Sequence, residues 1–268
     1  VDAASVQADK PMLICLHGLF SNLDAQFTPF LKGDKTNPHL ESLVSPVVLG
    51  FEMPTVFSSV AENAEYLNDF LRWAGNKFGK EQRFIFLCHS RGGLVARYGL
   101  EKAWIKNGRL EHNISRLVMM GTPNLGSRLA DDDYYVDLLD GATNLIAGAA
   151  GLTAPWFGGL TALATALTEQ YFNLPGINDL EPGSRLLMDL APEQFLKADN
   201  APVYWAAASD YEPKGWLRKV LDQWIFDQSV FSGAPNDRIV PLHSALCLQA
   251  NGEPMNEPGF YFMDSPGN

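Results

Sequence analysis

The sequence has little charge and few cysteines. Only 19% of its 268 residues are charged, and three are cysteine. The charge-rich tracts of disordered chains are missing, and so are heptad and collagen repeats. The hydrophobic content of 46% is enough for one large core. The composition therefore excludes a disordered chain, a coiled coil and a collagen-like fibre.

Basic residues are also in deficit. The chain has 20 Lys and Arg residues against 31 Asp and Glu residues, which gives a formal net charge of −11. Binding to nucleic-acid phosphates needs a concentrated basic patch. Docking on an anionic membrane surface needs basic residues as well. The charge balance therefore argues against a nucleic-acid partner and against electrostatic attachment to anionic lipid.

The cysteines show no pairing pattern. Cys15, Cys88 and Cys247 lie far apart, without the spacing of a disulfide framework or a zinc site, and we expect buried free thiols. The start, VDAASVQADK, lacks a basic region followed by an apolar one, so no signal peptide is predicted within the chain. A leader already removed would leave the same kind of start, because the first residue is not Met. The unpaired thiols and this start together favour the cytoplasm.

A membrane span is also not predicted. Residues 141–168 contain no charged residue and are long enough to cross a bilayer. However, this stretch holds five glycines, five threonines and a proline, without the Leu, Ile and Val density of a spanning helix.

Strand-like and helix-like patterns alternate along the chain. Ser59 and Glu62 have the spacing of a capping box, and apolar residues recur behind them at helical intervals up to Phe78. Helical sequence also follows Gly92. Strands buried on both faces and alternating with helices predict an α/β fold, a doubly wound and mostly parallel sheet. The predicted strands are 12–17, 45–51, 84–88, 116–120, 203–208 and 260–263.

One region interrupts this alternation. Residues 128–181 are rich in Gly, Ala and Leu, and we predict that they form a helical cap inserted in a single domain spanning 1–268. Two interpretations of the apolar residues of this cap are compatible. They bury a face on the sheet, or they line a hydrophobic acyl pocket beneath a mobile lid.

The strongest chemical signal is the segment FIFLCHSRGGLVAR. A predicted strand runs into Cys88-His89-Ser90-Arg91-Gly92 and then directly into a predicted helix. This is the strand–turn–helix context of the nucleophile elbow, G-x-S-x-G, with Cys88 in place of its first glycine. Such a turn strains the serine backbone and exposes Oγ at the helix N-terminus, where the helix dipole favours developing negative charge.

On these residues the chain resembles the lipase and esterase branch of the α/β hydrolases. LICLHGLFS (13–21) is similar to the His-Gly loop of lipases, and GTPNLGS (121–127) to a segment after the elbow. NDRIVPLHSA (236–245) resembles the loop that carries the acid of their triad. The resemblance implies that Ser90 is the nucleophile and needs no metal or organic cofactor. The N–H groups of Leu19 and Arg91 would form the oxyanion hole.

The acid has two candidates. Asp237 precedes the apolar run Ile239-Val240-Pro241 and would orient a histidine base and stabilise its imidazolium. Asp210, directly after the fifth predicted strand, is the second candidate. The alternative for Asp237 is an ordinary turn aspartate in solvent.

The general base is open. In the chain order Ser, Asp, His of these enzymes, the histidine follows the acid, and His243 is the histidine of this sequence that does so. The resemblance places the base after the last strand instead. Three interpretations of the general base therefore stay open. His243 is recruited, the histidine lies beyond Asn268, or the site is incomplete. His17 and His89 sit in turn motifs where the resemblance gives them positioning roles.

The function predicted is hydrolysis of a carboxylic ester through an acyl-enzyme. Acyl transfer and thioester hydrolysis would use the same groups. The hypothesis from another class is a catalytically silent α/β-hydrolase-like domain that serves as a binding or regulatory module of a longer protein. The expected partner is a small-molecule or lipid-like acyl ester, with transient contact to a lipid surface and an oligomeric state left open.

Overall fold

Six strands form the centre of the molecule. The computed structural model describes residues 9–19, 21–32, 43–108, 110–130, 174–190, 195–198, 201–210, 237, 239–247 and 261–264. In these residues every predicted strand is present, with small changes at the ends. The strands are β1 (Met12–Leu16), β2 (Val48–Phe51), β3 (Arg83–His89), β4 (Asn113–Met120), β5 (Val203–Asp210) and β6 (Tyr261–Asp264).

The second strand is shorter than predicted. It begins at Val48 rather than at Ser45, and Val48 pairs with Leu13 of β1. Ser45 donates its N–H to the Pro11 carbonyl at 2.8 Å. Pro46 has no N–H to offer a neighbouring strand. Regular pairing therefore starts only after the proline.

Helices cover the sheet, and the first long one has the predicted cap. Ser59 accepts a hydrogen bond from the Glu62 N–H at 3.1 Å, and Glu62 accepts one from the Ser59 N–H at 2.8 Å. These two bonds satisfy donors that the first helical turn leaves free. The helices of the described residues are α1 (Leu23–Lys32), α2 (Val60–Phe78), α3 (Arg91–Asn107), α4 (Pro175–Asn178), α5 (Arg185–Met188) and α6 (Leu242–Leu246).

The strand order is β2-β1-β3-β4-β5-β6, and every neighbouring pair is parallel. Parallel strands end at the same edge of a sheet, so the turns after β1, β3, β4 and β5 lie side by side. The strand order changes direction between β1 and β3, which is where ligands bind in open α/β sheets. This arrangement confirms the predicted doubly wound parallel sheet.

The core lies on both faces of the sheet. On one face, Met12, Ile14 and Leu16 of β1 pack in a cluster that includes Leu67 of α2 and Leu94 of α3. On the other face, the alternate residues Leu13 and Cys15 pack with Phe27 of α1. The three cysteines are buried free thiols, as predicted.

Most of the predicted cap lies outside the described residues, and the domain boundaries stay a prediction. Of the range 128–181, the structure describes a 3₁₀ turn at Arg128–Ala130 and the residues from 174 onward. Leu174, Ile177 and Leu180 are part of the main core. In the described part of the chain, no helix combines the length and the apolar character that a membrane crossing requires. The uncharged stretch 141–168 lies outside that part.

Candidate active site

Ser90 occupies a strained turn between β3 and α3. Its φ of 50° and ψ of −129° make it the one non-glycine residue of the described chain with a positive φ. The Ser90 N–H donates to the Met120 carbonyl at 2.8 Å. The Ser90 hydroxyl makes no capping hydrogen bond to the helix, and the residue is partly exposed. A serine held in this costly conformation, with its hydroxyl free at a helix N-terminus, is typical of an activated nucleophile.

Small residues around Ser90 permit this turn. A Cβ built on Gly92 would lie 2.6 Å from the carbonyl oxygens of Leu16 and His17, so a side chain does not fit there. Cys88, at the position of the first glycine of the motif, is fully buried. Burial raises the pKa of its thiol well above the ordinary value, which keeps the thiol neutral. The cysteine acts as a small core residue.

The His-Gly loop after β1 lies against the elbow. A Cβ built on Gly18 would lie 2.8 Å from the Ser90 Cβ, so the two turns are in van der Waals contact. His17 is fully buried, and both of its ring nitrogens are occupied. Nδ1 lies 3.0 Å from the Gly18 carbonyl oxygen, and Nε2 lies 3.0 Å from Glu52 Oε1. These contacts hold the His-Gly loop in place, and with it the main chain of Leu19, the residue after Gly18.

Arg91 is anchored behind the turn. Its buried guanidinium donates to the Gly176 carbonyl from Nε at 3.1 Å and to the Ser58 carbonyl from Nη2 at 2.6 Å. Burial lowers the pKa of this guanidinium to about 10, while the nearby Asp179 carboxylate opposes the shift. Arg91 is also the first residue of α3, so its N–H has no acceptor within the helix. The side chain holds in place a backbone donor next to Ser90.

Asp237 follows β5 in sequence, but in the fold its carboxylate lies beside the end of β4, the strand next to the elbow. Its Oδ1 accepts hydrogen bonds from the N–H groups of Ile239 at 3.0 Å and Val240 at 2.7 Å. Its Oδ2 lies 3.1 Å from the position that a Cβ on Gly121 would take. Burial raises the pKa of Asp237, and three backbone hydrogen bonds oppose this shift, from the N–H groups of Val240, Ile239 and Asp237 itself. The carboxylate is therefore held by one oxygen at the carboxyl edge of the sheet, beside the strand that accepts the Ser90 N–H.

The structure gives less direct evidence on the second acid candidate, Asp210, and on the base candidate, His243. Asp210 is the last residue of β5, paired in register with Asp264 of β6. His243 lies in α6, and its side chain is exposed. Within the described residues, no hydrogen bond joins His243 to Ser90 or to Asp237. The role of His243 as the general base stays a prediction.

His89 is a poor base at neutral pH. Burial lowers its pKa to about 4, and repulsion from His17 contributes to the shift. Its Nδ1 is buried and has no hydrogen-bond partner among the described residues. Because the ring stays neutral and the two nitrogens of His17 are occupied, both histidines fit the positioning roles that the resemblance implies.

The lowered pKa of His89 predicts a loss of stability in acid. Its ordinary pKa is 6.5 and its folded-state pKa is about 4. Between these two values the unfolded chain binds a proton that the folded chain does not, so the free energy of unfolding falls as the pH falls. The loss reaches about 3 kcal/mol at pH 4. His89→Gln should remove this part of the pH dependence in urea unfolding measured from pH 4 to 7, and an unchanged slope would contradict the assignment.

A group of buried polar residues in α3 and in the turn after β4 was not predicted from the sequence. Arg97 and Glu101 of α3 are fully buried, as is Thr122, whose hydroxyl donates to the Ser90 carbonyl at 3.0 Å. Asn124 in the turn after β4 is also buried. The available signal was the spacing of Arg97 and Glu101, one helical turn apart and in phase with the apolar Leu94.

Solved structures share this architecture. The lipase BlEst2 of Bacillus licheniformis is 20% identical, with 96% of this chain and 85% of that chain covered and a TM-score of 0.57. The phospholipase PlaB of Legionella pneumophila is 17% identical over 87% of this chain, with a TM-score of 0.56, but this chain covers only 45% of PlaB. Lipase 1 of Pelosinus fermentans is 12% identical, with 97% and 92% covered and a TM-score of 0.52.

The sheet order, the elbow and these neighbours together define the α/β-hydrolase fold. At such low identities the likeness concerns the fold alone. No curated protein matches the chain by sequence. The chain belongs to the family described as a domain of unknown function, DUF7379, whose model matches residues 1–259.

Proposed function

We propose that this protein is a serine hydrolase of carboxylic esters. The observation that carries the proposal is the backbone of Ser90, strained at φ 50° at the start of α3 with its hydroxyl uncapped. A strained backbone is retained at sites where it serves function. The Asp237 carboxylate at the end of the neighbouring strand supports the same conclusion.

In the proposed reaction, Ser90 Oγ attacks the ester carbonyl carbon while its proton passes to a histidine. The carbonyl oxygen becomes an oxyanion that accepts hydrogen bonds from the N–H groups of Leu19 and Arg91. The histidine then gives its proton to the leaving alkoxide, and the C–O bond of the ester breaks. Water repeats the cycle on the acyl-enzyme, which releases the acid and restores Ser90. Asp237 orients the histidine and stabilises its charged form.

His243 is the candidate for this histidine. Since its exposed ring makes no hydrogen bond to Ser90 or Asp237 within the described residues, the role requires the ring to move toward Ser90. If His243 is the base, His243→Gln lowers kcat by about 10³-fold or more. Turnover within about threefold of the wild type would give the role to another histidine.

An apolar acyl chain is the substrate feature we favour. Two large apolar side chains near the carboxyl edge are exposed to solvent, Phe57 at 69% and Ile239 at 56%. Phe57 precedes Ser58, which binds Arg91, and Ile239 binds Asp237. Among the structural neighbours, BlEst2 and lipase 1 of Pelosinus fermentans are named lipases, and PlaB is named a phospholipase. The cap 128–181 is the proposed cover of the acyl pocket.

The proposal is tested by hydrolysis of nitrophenyl esters with acyl chains of two to twelve carbons. We expect a burst of nitrophenol of about one equivalent per protein, because nitrophenol is a good leaving group and the acyl-enzyme should form faster than water releases the acid. Longer chains should give a lower KM, since each buried CH₂ contributes ~0.8 kcal/mol. Absence of turnover with every ester, in the folded full-length protein, would favour the silent binding module. That alternative is supported by the lack of a histidine bonded to Ser90 in the described residues.

A further inference from the structure

A buried ion pair lies in α3, the helix that follows Ser90. Arg97 Nε donates to Glu101 Oε1 at 3.0 Å, and neither side chain is exposed. Removing two charges from water is costly, and the cost is offset only when further hydrogen bonds satisfy both groups. Replacing a buried ion pair by apolar residues of similar volume often leaves the free energy of unfolding unchanged or raises it. The other hydrogen-bond partners of Arg97 and Glu101 therefore indicate which parts of the fold the ion pair connects.

Both members of the pair reach beyond α3. The Tyr204 hydroxyl of β5 donates to Glu101 Oε1 at 3.2 Å. Burial and the Glu101 charge raise the pKa of Tyr204 well above its usual range, so the hydroxyl remains a donor. Arg97 Nη1 donates to Asn124 Oδ1 at 2.9 Å. Asn124 lies in the turn that follows β4, so the pair links the elbow helix to that turn.

The same turn holds the segment after Asp237. Asn124 donates from Nδ2 to the Ala245 carbonyl at 2.9 Å and from its N–H to the Ser244 carbonyl at 3.1 Å. The Ser244 hydroxyl donates to the Gly126 carbonyl at 2.6 Å and accepts from the Leu125 N–H at 3.1 Å. Four hydrogen bonds thus join the turn to Ser244 and Ala245 in α6.

Asp237 depends on this segment for its position. Among the described residues, the donors to its Oδ1 are backbone N–H groups of the segment itself, those of Ile239 and Val240. Val240 and Ala245 pack together with Ala206 and Ala208 of β5. A displacement of 239–247 would therefore carry the Asp237 carboxylate away from the end of β4.

We propose that Arg97 and Asn124 are positioning residues that act through Asp237. They connect the helix of the nucleophile to the segment of the acid, and they set where the carboxylate lies relative to Ser90. The inference rests on the proposed function, because a fixed distance between Ser90 and Asp237 matters for a serine hydrolase. In the proposed reaction, Arg97 and Asn124 touch no reacting atom.

A double-mutant cycle tests the inference in the full-length protein. Asn124→Ala should slow the reaction of Ser90 with a fluorophosphonate about 10- to 100-fold per folded molecule, and lower kcat for a nitrophenyl ester more than it changes KM. In an Asp237→Asn background, Asn124→Ala should have almost no further effect, less than twofold, because the group through which it acts is already lost. Losses that multiply in the double variant would overturn the role.

A second variant covers the case in which Asn124→Ala does not fold. Arg97→Lys keeps a cation beside Glu101 but loses the planar fork that reaches Asn124. It should slow labelling in the same range, with the same lack of further effect in the Asp237→Asn background. Multiplying losses in this second cycle would also contradict the inference.

Gln82→Ala is the matched control. Gln82 is a buried amide whose Nε2 donates to the carbonyls of Lys10 at 3.1 Å and Arg83 at 2.9 Å, at the amino ends of the strands. It should lower the melting temperature and leave the labelling rate unchanged. An equal loss of rate in Gln82→Ala would mean that any lost core hydrogen bond slows the reaction. A wild-type protein that does not react removes the proposed function as well, whereas a reactive wild type with multiplying losses removes the positioning role alone.

Discussion

Ser90→Ala should abolish ester hydrolysis and fluorophosphonate labelling, with a loss of roughly 10³-fold or more in kcat. The reason is chemical, since the substitution removes the atom that attacks the carbonyl. The fold should survive, because the Ser90 hydroxyl makes no capping hydrogen bond and the bonds of the turn use main-chain atoms. Steady-state kinetics and circular dichroism of the purified variant measure both parts of this expectation.

Ser115→Ala is the control for that experiment. The Ser115 hydroxyl donates to the Phe84 carbonyl at 3.1 Å, near the amino ends of β3 and β4 and away from the elbow. The control should keep wild-type turnover. Persistent hydrolysis by folded Ser90→Ala, or an equal loss in Ser115→Ala, would contradict the assignment of the nucleophile.

Asp237→Asn should lower kcat by about 10⁴-fold while the protein stays folded. The amide oxygen can still accept the N–H bonds of Ile239 and Val240, which the carboxylate Oδ1 accepts in the wild type. The amide nitrogen then replaces Oδ2 at the carboxyl edge. A donor at this position cannot hold the N–H of a histidine, so the base takes the wrong tautomer.

Asp210→Asn is the matched variant for the second candidate acid. Asp210 ends β5, in the same sheet, and the substitution removes the same charge. We expect a change of less than about tenfold, because in the proposed mechanism Asp237 and not Asp210 orients the histidine. A larger loss in Asp210→Asn than in Asp237→Asn would transfer the acid role to Asp210.

The elements that could be predicted are those that depend on residues close together in the sequence. The capping box of Ser59 and Glu62 and the turn at Ser90 follow from local geometry, and both are present. The parallel sheet followed from strands that are apolar on both faces. The shortened start of β2 was not predicted, although Pro46 was an available signal, because proline has no N–H to donate to a neighbouring strand.

The support around the site was not predictable in the same way. The Arg91 side chain binds Ser58 and Gly176, which are 33 and 85 residues away in sequence. Arg97 and Glu101 have the spacing of an exposed helix pair, and only the packing of α3 on the sheet buries them. Asn124 reaches Ala245 across 121 residues. Such contacts depend on tertiary packing, which one sequence does not contain as a local pattern.

Whether Ser90 is an activated nucleophile can be measured by locating a covalent adduct. The folded full-length protein is treated with a fluorophosphonate, whose phosphorus bonds to the attacking oxygen as fluoride leaves, and its peptides are mapped by mass spectrometry. We expect one phosphonyl group per protein, on the hydroxyl of Ser90. An adduct on another residue, or an unmodified Ser90 after prolonged reaction, would contradict it.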